Sequence, residues 1–201
     1  MTDPGDRRVL FFGDSFVAGV GDPSARGWVG RVAAASWDAG LPVLAHPLGV
    51  RRQTSLQVAG RWRTEARERL VDCVHARVVF SFGANDTTVE DGRLRVEPEV
   101  SSATLVSVLD EAGLLGLPAF VVGPPPVGED GQDARITSLS SAFAKVCAAR
   151  AVPFADVCEP LRANATWRTE AAAGDGSHPG AGGYAALAKL VLAAGWIAWI
   201  S

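Results

Sequence analysis

A hydroxyl, an imidazole and a carboxylate are the groups in this chain whose placement could do chemistry. Ser15 stands in Gly13-Asp14-Ser15, directly after the apolar run Val9-Leu10-Phe11-Phe12, and His178 stands in Asp175-Gly176-Ser177-His178-Pro179. A serine beside an imidazole can act as a nucleophile, and a carboxylate three residues before a histidine can reach its ring in a tight turn. Two more polar turns accompany them, one over residues 49–54 and one at Gly83-Ala84-Asn85-Asp86. Each piece also has a plain structural reading. Serine and aspartate cap helices and close turns, and a histidine before proline is ordinary loop composition. Asp14 and Asp86 in particular read as structural, accepting backbone N–H bonds within their turns.

What would bring such distant groups together is the order of the elements. Val9 to Phe12 reads as a short strand buried on both faces, ending at a glycine that leaves room to turn. Trp28, Val29, Val32, Ala33 and Trp37 recur at helical spacing and predict a helix that stops near Gly40. A short strand over 42–45 follows, then a charged amphipathic helix over 56–70 with Glu65, Arg67, Glu68 and Arg69 on its solvated side. Further strands are predicted at 77–82, 118–122 and 152–155, with helices over 100–115 and 134–150 between them. Residues 87–99, which contain Asp91-Gly92, read as a small excursion. The polar loop leading to Asp133 is the candidate for a mobile or substrate-shaping segment. The segment with Trp167, up to the histidine, reads as a loop, and the apolar run over 187–200 as a buried terminal helix. About five strands alternating with helices imply a parallel sheet with right-handed crossovers, a flavodoxin-like three-layer α/β/α sandwich. In such a sheet the carboxyl ends of the strands share one edge, and there Ser15, the 49–54 turn, Asn85 and the histidine loop would converge.

Composition narrows the functional classes. The 201 residues, 48% hydrophobic and 20% charged, fit a single domain over 1–201 with a core that needs no staples. A net charge of −3 with scattered Lys and Arg offers no basic face for nucleic acid. Cys73, Cys147 and Cys158 match neither a zinc site nor a redox pair and read as reduced and buried, which favours the cytoplasm. The polar start, residues 1–8, lacks the pattern of a signal peptide, and the terminal apolar run is interrupted by Lys189 and too short to span a membrane. A contact between chain copies through that run, giving a homo-oligomer, is the minor alternative to its burial. His46 and His75 have no partners at ligand spacing, so no metal is assigned and no cofactor is expected. Trp28, Trp37 and Trp62 read as helix packing; Trp167 is left open because it precedes the histidine.

Gly13-Asp14-Ser15, Gly83-x-Asn85-Asp86 and Asp175-x-x-His178-Pro179, in this order and at these positions, resemble the GDSL, or SGNH, hydrolases. Trp28, Pro124-Pro125 and Gly183-Tyr184 extend the resemblance over nearly the whole chain. It implies an esterase in which Ser15 is the nucleophile, His178 the general base and Asp175 the carboxylate that orients the ring. It further implies an oxyanion hole made by the backbone N–H of Ser15, the amide of Asn85 and one more backbone N–H from the second polar turn. That turn departs from the family's Asn-x-Gly-x-x-Gly-x-Thr: Gly49 and Thr54 match, but Pro47 takes the asparagine position and Arg52 the second glycine. Arg52 can still supply its N–H, while the loop's backbone angles and the room left for the acyl group are put in question. Arg51 or Arg52 could also favour an acidic or polar substrate portion through charge-assisted hydrogen bonds. The expected activity is hydrolysis of small-molecule carboxylic esters, short-chain or acetyl, without a cofactor. The alternatives are an acyltransferase or thioesterase on the same site, and a non-catalytic carbohydrate- or acyl-binding module.

Overall fold

The computed structural model describes residues 6–201; residues 1–5, the start of the polar amino terminus, lie outside the described residues. Strand β1 (Arg7–Gly13) passes through Asp14 into a single helical turn, α1 (Ser15–Ala18), and helix α2 (Gly27–Asp38) follows. Next come β2 (Leu44–Gly49), α3 (Ser55–Arg69) and β3 (His75–Ser81). The two-residue strands β4 (Val89–Glu90) and β5 (Arg93–Leu94) form an antiparallel hairpin turned by Asp91 and Gly92, both at positive φ. Helix α4 (Pro98–Leu114), strand β6 (Ala119–Val122), helix α5 (Asp130–Ala148) and strand β7 (Phe154–Ala155) complete the alternation. Four helices end the chain: α6 (Cys158–Ala163), α7 (Ala165–Ala173), α8 (Ala181–Ala193) and α9 (Trp196–Ile200).

The main sheet is parallel, in the order β2-β1-β3-β6-β7, which is the flavodoxin-like arrangement expected of this alternation. β1 lies between β2 and β3, and this is why Val9, Leu10, Phe11 and Phe12 are all fully buried: successive side chains enter opposite layers. Val9 and Phe11 join Trp28, Tyr184 and Trp196 in one layer; Leu10 and Phe12 join Val58, Trp62, Leu105 and Phe143 in the other. In register, Gly13 stands opposite both Gly49 and Ser81, so the first three strands stop level with one another. That common edge carries the polar turns.

The structure corrects several boundaries. β2 begins later than 42–45 and runs on through Pro47, which an edge strand tolerates because one side of its backbone needs no partner. The segment read as a loop around Trp167 is helical, as α6 and α7; both helices are too short for an apolar period to show, and Asn164 separates them by accepting the Trp167 N–H at 2.9 Å. The terminal helix starts at Ala181 and is broken at Gly195, φ +93°. Its apolar character is satisfied internally, with Leu187, Val191, Trp196 and Ile200 all fully buried. The loop before Asp133 is shorter than expected, since α5 opens at Asp130 and the Asp133 carboxylate accepts the Val127 and Gly128 N–H groups. Trp28 and Trp62 are fully buried, whereas Trp37 is 63% exposed. Cys147 and Cys158 are buried, and burial pushes their thiols up to about 12 and about 11; Cys73 is only half-buried, and all three are free. No helix among the described residues is long and apolar enough to cross a membrane.

Candidate active site

Ser15 is the first residue of α1, and Asp14 caps that turn, its Oδ1 accepting the Phe16 N–H at 3.0 Å. The strand therefore ends, turns and starts a helix within three residues. The turn is tight because Gly13 has no side chain: a Cβ there would sit 2.0 Å from the Ser81 carbonyl oxygen. Gly49 does the same for the neighbouring strand, since a Cβ would fall 2.4 Å from the Asp14 carbonyl oxygen. These two close approaches bring the second polar turn against the serine turn.

His178 reaches the serine from the loop before α8, with Nε2 2.7 Å from Ser15 Oγ. Its Nδ1 is 2.7 Å from Asp175 Oδ2, and its backbone N–H donates to Asp175 Oδ1 at 2.9 Å. An ionised carboxylate can only accept, so Nδ1 carries the ring proton and Nε2 is left to accept from the hydroxyl. Burial works to raise the Asp175 carboxyl, but the hydrogen bonds from His178 and Ser177 outweigh it and hold its pKa down to about 2. Arg51 Nη2 donates to the same Oδ2 at 3.2 Å, so this oxygen accepts from two sides. The imidazole is packed on Phe16, ring centroids 4.9 Å apart, and Phe16 is stacked on Trp167.

Asn85 follows β3 and faces the same cleft. Its Nδ2 donates to the Gln53 carbonyl at 3.0 Å and to Asp14 Oδ2 at 3.3 Å. Asp14 is buried, and burial raises its carboxyl to about 7 against the lowering effect of the Phe16 N–H. Asp86, fully buried, accepts from the Ser55 N–H and the Ser101 hydroxyl, and so anchors the Asn85 turn to α3 and α4. Both aspartates thus hold backbone in place. Arg52 has φ +67°, a left-handed conformation that a glycine adopts freely and an arginine rarely does. Among the described residues, neither the Ser15 nor the Arg52 backbone N–H is hydrogen-bonded to another protein group. Pro47 is exposed and is not among the residues that line the site cleft.

Ser15, Arg52, Asn85, Asp175 and His178 line one cleft of about 350 Å³, together with Arg51, Thr88, Glu90, Arg95 and Gln132. Several of the groups that hold it were not legible as site residues. Arg61, on α3, donates to the carbonyls of Gly13 at 3.0 Å and Leu48 at 2.7 Å and to the Gln53 side chain at 2.6 Å, closing the ends of β1 and β2 onto the second turn. Glu170, on α7, accepts the Gly182 and Gly183 N–H groups at 3.1 and 2.7 Å and so caps α8, whose own N-cap, Gly180, has no side chain to do so. Glu170→Ala should therefore lower stability by about 1 to 2 kcal/mol in urea unfolding, with Glu170→Gln losing less.

The likeness to solved structures is strongest in fold. The chain superposes on a catalytic mutant of an acetylxylan esterase from Geobacillus stearothermophilus with a TM-score of 0.77 at 20% identity, covering 100% of this chain and 99% of the other. A lipase/acylhydrolase from Enterococcus faecalis gives a TM-score of 0.74 at 23% identity over 93% and 94% of the two chains. Comparison with curated protein sequences finds no match. The model of the GDSL-like lipase/acylhydrolase family matches residues 11–186, from within β1 to within α8, and the chain belongs to that family.

Proposed function

We propose that the protein hydrolyses carboxylic esters with small acyl groups through an acyl-enzyme on Ser15. The observation that carries this reading is the continuous line from Asp175 through the His178 ring to the Ser15 hydroxyl, with both contacts at 2.7 Å. In the first half-reaction Ser15 Oγ attacks the ester carbonyl as Nε2 takes its proton, and Asp175 holds the imidazolium that forms. Nε2 then returns the proton to the leaving alcohol. Water repeats the sequence on the acyl-enzyme, releasing the acid and restoring Ser15.

The negative charge on the carbonyl oxygen would be met by the Ser15 and Arg52 backbone N–H groups and by the Asn85 amide. Of the two Asn85 bonds, the longer one to Asp14 is the one that gives way to the substrate oxygen. The cleft walls set Arg51, Arg52, Asn85, Thr88 and Gln132 beside three apolar residues, Phe16, Ala84 and Val127, and a volume of about 350 Å³ suits a small acyl group. Arg51 and Arg52 already pair with Asp175 and Glu90, so an anionic substrate portion would have to share them.

A panel of acyl esters from acetate upward tests the reading: turnover should be highest for the shortest chains, and hydrolysis of none of them would overturn it. Supplying alcohols and thioesters in the same assay separates the hydrolase from the transferase and thioesterase alternatives. A pH profile adds a second check. Asp175 stays ionised until the pH nears about 2, whereas burial raises Asp14, which caps the serine turn, to about 7. Log kcat/KM should therefore fall below neutral pH with a slope of at least one while the Asp175 carboxylate stays charged. Activity that stays flat down to about pH 4 would require another base.

A further inference from the structure

Arg52 raises a question the family resemblance does not answer: what keeps an arginine in a conformation suited to glycine. Its backbone is held from both sides by the segment that carries Asn85. Arg95 Nη1 donates to the Arg52 carbonyl at 2.9 Å, and Asn85 Nδ2 donates to the next carbonyl, that of Gln53, at 3.0 Å. The Arg52 guanidinium is itself tied to Glu90 Oε1 at 3.2 Å, and the same carboxylate oxygen lies 3.6 Å from Arg95 Nε. Glu90 belongs to the β4–β5 hairpin and Arg95 follows it. The hairpin is fixed in turn by the Arg95 N–H on the Thr88 carbonyl at 2.9 Å and the Val96 N–H on the Asp86 carbonyl at 3.1 Å.

We propose that Glu90 and Arg95 are positioning residues that hold Arg52 in its left-handed conformation and so keep its backbone N–H directed into the cleft. The physical reason is local. The peptide plane after Arg52 is held at both ends, its carbonyl accepting from Arg95 and its N–H, that of Gln53, donating to the Val50 carbonyl at 3.2 Å, while Asn85 holds the next carbonyl. With that plane fixed, the φ and ψ of Arg52 together set where its N–H points, and the positive φ is the part a Cβ opposes. An L-residue with a Cβ would otherwise relax toward negative φ and turn that donor away. Glu90 sets its one negative charge between the two guanidiniums, offsetting their mutual repulsion, and holds the Arg52 side chain where it is 74% exposed. This rests on the esterase reading, in which that N–H meets the carbonyl oxygen, and extends it to two cleft-lining residues that act through Arg52.

The test is a double-mutant cycle between Arg95→Met and Arg52→Gly, read by ester kinetics and by urea unfolding. In the parent chain R95M should lower kcat about tenfold or more with KM little changed, because the donor acts on the transition state. In the R52G background the same change should cost less than about threefold, since glycine holds the left-handed angle unaided. E90Q should show the same dependence on background with a smaller loss. R95M should likewise lower the unfolding midpoint more in the parent than with R52G, a readout that needs no activity. An equal loss in both backgrounds, or no loss in the parent, overturns the clamp. If no ester is turned over by the parent, the esterase reading fails and the unfolding cycle still decides the clamp: coupling supports it and additivity overturns it.

Discussion

Replacing Ser15 with alanine should lower kcat for a small ester by roughly a millionfold, the scale of loss when the nucleophile of a serine hydrolase is removed. The fold should be untouched. Among the described residues Ser15 Oγ bonds only to the His178 ring, while the turn itself is held by the Asp14 cap, by the contact of Gly13 with Ser81 and by the carbonyl bonds of Arg61. Unchanged urea unfolding together with the kinetic loss is the expected pair of results. A variant within tenfold of the parent would remove Ser15 from the chemistry.

The second large effect is expected from Asp175→Asn, about 10,000-fold in kcat, and it follows from tautomers rather than from charge alone. An asparagine can keep its carbonyl oxygen on the His178 and Ser177 N–H groups, where Asp175 Oδ1 now sits. Its amide nitrogen then faces His178 Nδ1, which must become the acceptor, and the ring proton moves to Nε2 opposite Ser15. The base then already holds the proton it should take. Arg51 also loses its carboxylate and confronts an N–H instead. Structure and stability should change little beside the kinetic loss, and hydrolysis measured across pH should show no range in which the variant recovers. Recovery at high pH to near the parent rate would indicate that Asp175 supplies charge only.

The order of elements could be read from the sequence because β1, β3 and β6 are compact apolar runs closed by a glycine or a polar turn. Buried parallel strands have no alternative use for residues such as Val9 to Phe12 or Val78 to Phe80. The convergence of Ser15 and Asn85 then follows from topology, because level strand ends put their turns on one edge, and the loop before α8 brings His178 to it. The supporting groups could not be read in the same way. Arg61 sits among charged neighbours on an amphipathic helix, and only the coordinates separate the arginine that grips two strand ends from those facing solvent. Glu170 lies on a helix of nine residues, too short to announce its face. Arg95 acts through a carbonyl forty-three residues away in sequence, a contact no local pattern encodes. Pro47 concealed the length of β2 because proline argues against a strand until the strand is known to be an edge.

Whether Ser15 is the nucleophile is decided by peptide mapping with mass spectrometry after incubation with a fluorophosphonate ester, which captures a serine activated by a neighbouring base. One adduct per chain on the peptide containing Ser15, absent in Ser15→Ala and formed far more slowly in His178→Gln, is the expected result. A parent chain that takes no label, or takes it elsewhere while Ser15 stays unmodified, would rule out Ser15 as the nucleophile.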